Sequence, residues 1–385
     1  VKITCTQQNL SRGLSIVSHA VSNRSTLPIL ANVLVATEDG HLKLSATNLE
    51  IGINYLVEIE ETFETGATTV PAKLIADFVG SLPPEMVEIS VPEDSSTLTV
   101  KSGDSEAKIK GMDSSEFPLI PTREGNESPV IISAALLKEM IAEVAFAAAD
   151  DESRPVFTGV LVQVGEKKIT FAAADAFRLA VRTAPLDNFE GKQEDILIPA
   201  RTLNELARIL PSEGDVEMVV TPNRSQVLFH TKQIDLVSRL IEGNFPNYRQ
   251  IIPKPQDTTT RAVISSKEFA ARIKLAALFA RDSSNITRIK INRGDNDGRD
   301  NGSITIEATA EDLGNNKSEL NANVDGPEQQ IIFNVKYLSD VMAVIGTSEV
   351  AIEVSAATKP GVIKPIGLPE QNDYTYVIMP MHTNR

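Results

Sequence analysis

The sequence predicts an α+β protein made of three tandem copies of one domain, each with two helices packed against antiparallel sheets. Three observations carry that prediction. A Gly, a Phe-Pro pair and a proline-closed connector occur together twice, in KGMDSSEFPLIP (110–121) and LIEGNFPNYRQIIP (240–253), with Phe117 and Phe245 128 residues apart. A strand end running into a short helix occurs three times, as VPAKLIADFVGSLP (70–83), IPARTLNELARILP (198–211) and FNVKYLSDVMAVIG (333–346). Lys73, Arg201 and Lys336 take the same place in that triplet, at spacings of 128 and 135 residues. Finally, runs such as Val87–Val91 and Val350–Val354 alternate apolar with polar residues. Alternation of that kind belongs to antiparallel strands with one face buried and one solvated, and the helices must then cover the apolar faces.

Taken in order, the elements repeat. Val1–Thr6 reads as a strand and Gln8–Val21 as a helix, with Leu10, Leu14 and Val17 at helical spacing. The same pattern returns at Ile131, with Leu137, Ile141 and Val144 on one face, and at Val263, with Phe269, Ile273 and Ala276. LPILANVLVAT (27–37) is matched by RPVFTGVLVQV (154–164) and more weakly by ITRIKINR (286–293). Each leads into an alternating strand, HLKLSAT, KKITFAAAD or GSITIEATAED, and then into the strand–helix triplet. Pro- and Gly-rich connectors at 122–129 and 253–260 set the domains at 1–126, 127–255 and 256–385, while GDNDGRDNG (294–302) reads as a long hairpin loop. Repeated units bury a face against their neighbours, and closure removes unpaired sheet edges. Three such units can form an arc, and two arcs joined head to tail can close a ring; an open three-unit solenoid has the same sequence repeat.

Composition bounds the function. A 385-residue chain with 42% hydrophobic residues supports real cores. No apolar run reaches the roughly 18 residues of a membrane span, and the first residues alternate like a strand rather than following the signal-peptide pattern. The lone Cys5 excludes a disulfide framework within the chain and suits a reducing cytoplasm; in an alternating strand it reads as a small buried residue. His19, His41, His230 and His382 are scattered without metal-ligand spacing, and no Walker loop or dinucleotide glycine pattern is present. Asp150, Asp151 and Glu152 read as a solvated acidic loop rather than a Mg²⁺ site. No cofactor and no enzymatic activity are expected. A net charge of −15 argues against tight DNA binding through bulk electrostatics, so any DNA partner must be held some other way.

The combination of RSTLPILANVLV, ATNLEIGI, ESRPVFTGVLV, ADAFRLA, EGNFPNYRQIIP and YVIMPM, in order along the whole chain, resembles the bacterial beta sliding clamp, the beta subunit of DNA polymerase III. The resemblance implies a three-domain DNA-clamp fold and a head-to-tail homodimer closing a six-domain ring around duplex DNA, without regard to base sequence. The implied function is that of a cytoplasmic, non-catalytic processivity factor for the polymerase. The alternative is a monomeric peptide-binding repeat scaffold that never encircles DNA.

A ring resolves the charge problem, because enclosure replaces contact while a few cations on lining helices guide the DNA. Candidate cations are Arg12, Arg24, Lys73, Lys138, Arg201, Arg208, Lys267, Arg272, Lys274 and Lys336; each alone reads as a solvated helix face. Arg24 and Lys73 match family DNA-contact positions, and the loop positions Asp151, Pro155 and Val156 correspond to further ones, although the loop here is acidic. The resemblance also implies a groove for short hydrophobic peptides from the polymerase, the clamp loader and repair proteins. Carried over by position, it comprises Phe157, Ala174, Ala176, Phe177, Arg178, Leu179, Pro246, Gln250, Ile251, Val362, Val377, Met379, Pro380, Met381 and His382. Chemistry alone would read the same apolar residues as core at a domain junction. In the dimer, the strand holding Ala107 and Ile109 is expected to meet the helix holding Leu278 and Phe279, with Asp104 and Glu106 in place of cations.

Overall fold

In a computed structural model, which describes residues 1–22, 26–38, 40–92, 95–123, 128–165, 167–186, 194–281, 283–294 and 301–381, each third of the chain follows one plan. The first third runs β1 (Lys2–Thr6), α1 (Gln7–Val17), β2 (Asn32–Glu38), β3 (His41–Thr47), β4 (Ile51–Val57) and β5 (Glu61–Glu64). It continues with β6 (Ala67–Pro71), α2 (Ala72–Gly80), β7 (Met86–Ser90), β8 (Leu98–Ser102) and β9 (Ser105–Ile109). The second runs β10 (Val130–Ser133), α3 (Ala134–Val144), β11 (Gly159–Val164), β12 (Lys168–Ala174) and β13 (Arg178–Pro185). Then come β14 (Glu194–Pro199), α4 (Ala200–Ile209), β15 (Asp215–Val220), β16 (Gln226–His230) and β17 (Ile234–Arg239). The third runs β18 (Thr260–Ser265), α5 (Ser266–Ala280), β19 (Ile286–Asn292), β20 (Ser303–Ala310), β21 (Gly314–Asn321) and β22 (Asn323–Asp325). It ends with β23 (Gln329–Asn334), α6 (Val335–Val344), β24 (Glu349–Val354), β25 (Gly361–Ile366) and β26 (Asp373–Ile378).

Local chemistry explains the helices. The side chains of Thr6, Ser133 and Ser265, at matching places in the three thirds, accept from the backbone N–H groups of Asn9, Leu136 and Glu268, which satisfies donors the first turn leaves open. Leu10, Leu14 and Val17 are buried beneath α1 as their spacing predicts. That helix ends at Val17 and continues only as a 3-10 turn, Ser18–Ala20, where the sequence suggested helix to Val21. It lies close on β3 and β4: a Cβ on Gly13 would stand 2.8–2.9 Å from atoms of Tyr55, Leu44 and Val57, so only glycine allows the approach. α5 lies in the same way against β20 and β21.

The strands form four antiparallel sheets. Their orders are β5-β1-β7-β8-β9, β10-β15-β16-β17-β4-β3-β2-β6, β14-β11-β12-β13-β26-β25-β24-β18-β22 and β21-β20-β19-β23. Each third therefore supplies two half-sheets of four or five strands, and the long sheets join halves from successive thirds. In the eight-stranded sheet β17 pairs with β4, Val237 opposite Gly52; in the nine-stranded sheet β26 pairs with β13, Val377 opposite Leu179. The chain accordingly divides into two compact units, 1–137 with 205–240 and 138–204 with 241–385, because the strands of the middle third are shared between them. The first unit holds the five- and eight-stranded sheets and the second the nine- and four-stranded ones. Most of the loop 294–302 lies outside the described residues. No helix among those described is long and apolar enough to cross a membrane.

Candidate functional site: an apolar rim over a sealed floor

All the proposed groove residues fall in the second unit, and the β13–β26 pairing explains how distant segments come together there. Leu179 faces Val377 across the ladder, and Val377 in turn faces Val362 on β25. These three are almost wholly buried, at 1, 1 and 2% exposure, and form one apolar cluster with Ala172, Ala174, Val181 and Tyr248. Phe157, Phe245 and Ile252 pack against it, half-buried. The floor is thus core in the isolated chain. The exposed positions make a rim: Ala176, Phe177 at 57%, Pro246, Gln250, Ile251 at 42% and Met379 at 38%. Pro380 and Met381 are half-buried, and His382 lies outside the described residues.

Hydrogen bonds fix the rim to its supports. The Asp175 carboxylate accepts from the N–H groups of Phe177 (3.0 Å) and Arg178 (3.1 Å), bracing Ala176 in the left-handed region at φ 81°. The Met379 N–H donates to the Phe177 carbonyl at 2.8 Å, and the Met381 N–H to that of Ile332 at 2.8 Å, so the chain beyond β26 is tied at both places. The connector is tied as well: the Tyr248 hydroxyl and an Arg249 N–H both donate to Gln163 Oε1 at 2.9 Å, and Gln163 donates to Asp195 at 2.8 Å. Phe245 meets the Tyr248 ring edge-on at 6.5 Å.

Arg178, one of the groove positions, is a mostly buried side chain rather than an open polar one. Its side chain is 8% exposed and engaged at 2.8 Å by Asp175 and at 2.5 Å by Asp340. Its guanidinium also lies 4.5 Å from the centre of the Tyr337 ring and 5.5 Å from that of Phe146. Burial works against its charge, but the Asp340 and Asp175 carboxylates outweigh that effect and raise its pKa above the ordinary arginine value. Tyr337, which the sequence reading missed, also stacks on Phe177 with ring centres 6.4 Å apart. Tyr337 and Asp340 lie one and four places beyond Lys336; an acid at that +4 place recurs as Asp77 and Glu205, a signal visible in the aligned triplet.

The DNA-contact candidates are spread over both units. Lys73, Arg201 and Lys336 are exposed and each is the second residue of its helix, α2, α4 and α6. Lys73 is held by Asp77 at 2.7 Å. On the first helices the cations do not recur: Arg12 of α1 matches Glu139 in α3 and Ala271 in α5. Arg12, Lys267 and Lys274 are exposed, Lys138 and Arg272 half-buried, and Arg208 bonds Glu205 at 2.8 Å. Arg24 lies outside the described residues. Asp151 and Pro155 are exposed and Val156 half-buried. The side-chain and backbone donors of Ser153 hold the Asp151 carboxyl below the usual aspartate range, which favours its negatively charged form. Arg154, not singled out from sequence, is the cation of that loop and lies 5.4 Å from the Phe157 ring centre. Among the described residues no three His, Cys, Asp or Glu side chains gather in a way that could hold a metal ion.

At the other candidate surface, Ile109 is buried and Ala107 half-buried in β9, while Leu278 is 57% exposed on α5 and Phe279 half-buried. Among the described residues β9 and β21 each pair on one side only.

Comparison with known proteins agrees with this architecture. Residues 1–121, 131–247 and 249–382 match, in that order, the N-terminal, central and C-terminal domains of the DNA polymerase III beta subunit. The chain is 31% identical over 402 residues to a beta sliding clamp of Synechocystis sp., covering 99% of each. It is similar to the solved DNA polymerase sliding clamp of Bacillus subtilis, with 29% identity, 99% coverage of both chains and a TM-score of 0.89. A Pseudomonas aeruginosa sliding clamp bound to griselimycin is similar at 26% identity, 99% coverage of both and a TM-score of 0.89. With three domain matches in sequence order and relatives alike along nearly their whole length, the chain belongs to the DNA polymerase III beta subunit family.

Proposed function

We infer that this protein is a beta sliding clamp, a non-catalytic processivity factor that two chains form by closing head to tail into a six-domain ring around duplex DNA in the cytoplasm. One observation carries the reading: the chain leaves two half-sheets without their counterpart. Inside the chain, the half-sheet ending in β17 joins the one ending in β4, and the half-sheet ending in β26 joins the one ending in β13. By repeat equivalence the unmatched halves end in β9, in the first third, and β21, in the last. Pairing β9 of one chain with β21 of another builds the missing long sheet and leaves no such edge open. The exposed Leu278 of α5, the helix lying against β21, is then covered as well. Equivalence thus favours a strand partner for Ala107 and Ile109, with α5 beside it. The domains in this reading are 1–126, 127–255 and 256–385.

The rim of Phe177, Ile251 and Met379, with the floor of Leu179, Val362 and Val377, then serves as the groove for short hydrophobic peptides of the polymerase, clamp loader and repair proteins. Exposed aromatic and thioether groups over an apolar floor suit adaptable peptide recognition. Native mass measurement at micromolar concentration tests the ring: a species of twice the chain mass is expected, and Leu278→Asp should reduce it to single chains of unchanged circular dichroism. Single chains only, for the unaltered protein, would leave the monomeric scaffold as the reading.

A further inference from the structure

We propose that Asp340 is a positioning residue for the peptide rim, acting through Arg178; this rests on the groove reading above. The acid four places beyond the leading cation recurs in α2, α4 and α6 as Asp77, Glu205 and Asp340, yet its partner differs in each. Asp77 binds Lys73 of its own helix, at 2.7 Å. Glu205 takes His19, from the first third, at 2.6 Å besides Arg208 of its own helix at 2.8 Å, and Asp340 takes Arg178, from the second third, at 2.5 Å. In the last two, a helix of one third is tied to the third before it, across the sheets that join them.

The Arg178 tie is the less exposed and the more elaborate of the two. Its guanidinium is shared by Asp340 and Asp175, and it lies against the ring of Tyr337, one helical turn before Asp340 on α6. Tyr337 stacks on Phe177, whose carbonyl receives the Met379 N–H. Two rim residues, Phe177 and Met379, are therefore aligned by a chain of contacts that ends at one carboxylate on α6. No contact in that chain requires Asp340 to touch a ligand. Its role is to keep the turn 175–178 in the bound geometry, so that the rim loses little freedom when a peptide arrives. Replacing the carboxylate leaves Arg178 short of a charged partner and frees the turn. Lys336, one of the three recurring cations, lies on the same turn-and-a-half of helix, so the tie also links the cation-bearing α6 to the rim.

The test is binding of griselimycin, the compound bound by the Pseudomonas aeruginosa clamp, followed by calorimetry together with thermal midpoint. Asp340→Asn and Arg178→Lys should each weaken binding about three- to ten-fold, the cost of ordering one or two released side chains, while Asp340→Glu restores it. The lysine keeps the charge but loses the fork that engages both acids. Met379→Ala is the control for the groove itself. If it weakens binding but Asp340→Asn does not, or if Asp340→Asn lowers affinity and thermal midpoint together and Asp340→Glu fails to restore either, positioning by Asp340 is overturned. If the unaltered chain does not bind, or Met379→Ala binds as tightly as it does, the groove reading is what has failed.

Discussion

Cys5 shows how a single residue's chemistry follows from where its strand lies. It sits in β1 between β5 and β7 with its side chain closed to solvent, and burial pushes its thiol up to about 12. The thiolate is the reactive form, so at pH 8 only about one thiol in ten thousand is ionised, four pH units below that value. An aromatic disulfide reagent at pH 8 should therefore leave the native protein unlabelled for many minutes and label one thiol per chain at once in guanidinium. Stoichiometric labelling of native protein at the rate of a small-molecule thiol would show that β1 is not held as described. The sequence foretold this burial, because alternation alone distinguishes the inward positions of a strand. The same rule could not separate floor from rim at residues 174–179 or 377–381: Leu179, Val377 and Met379 are all apolar, but Leu179 and Val377 face each other in the ladder and are sealed, while Met379 lies beyond the end of β26. Nor could it show that Arg178 is consumed by Asp340, a residue 162 positions away.

At the scale of elements, the two internal junctions are built to one pattern but filled differently. Gly52 and Leu179 are equivalents, each opposite a valine on the joining strand, and Ile120 and Tyr248 each stand three residues after the Phe of their connector. In the second junction Leu179 packs with Tyr248. In the first, Ile120 packs on Val219, Leu228 and Val237, and a Cβ on Gly52 would stand 2.9 Å from its Cγ2. The isoleucine has taken the room that the leucine fills in the other copy. Gly52→Leu should consequently cost about 1–3 kcal/mol in chemical denaturation, the usual price of overpacking, and Ile120→Ala should recover a good part of it. A double variant no more stable than Gly52→Leu alone would mean that the two side chains do not compete for one space. Helices, strands and the threefold repeat were readable because they depend on local spacing, which 3.6- and 2-residue periods report directly. That β4 pairs with β17, and β13 with β26, was not, since either strand offers a regular ladder to any partner of the right register. What made those pairings recoverable afterwards was comparison of the copies, which also exposes the two half-sheets left over.

For the whole molecule, charge and topology have to be reconciled. With a net charge of −15, the surface repels the phosphate backbone at long range, and of the three recurring cations Lys73 is already paired with Asp77. The loop around Asp151 adds negative charge where the family resemblance suggested contact. Affinity built on phosphate neutralisation is thus unavailable on the needed scale, and it would be fragile: a protein making six to ten such contacts loses about 10³–10⁵ in affinity between 50 and 200 mM salt. Enclosure by the proposed ring has no such dependence, because release from it requires the proposed β9–β21 contact to open or the DNA to end. Once loaded on nicked circular DNA, the dimer should keep nearly the same lifetime across that salt range, while on linear DNA it should be lost quickly at every salt concentration by sliding off the ends. Blocking both ends of the linear DNA with bound protein should restore the circular lifetime. Equal, salt-sensitive loss from circular and open linear DNA would mean that contact rather than topology holds the protein. The closure inferred from the unmatched half-sheets would then have to be given up.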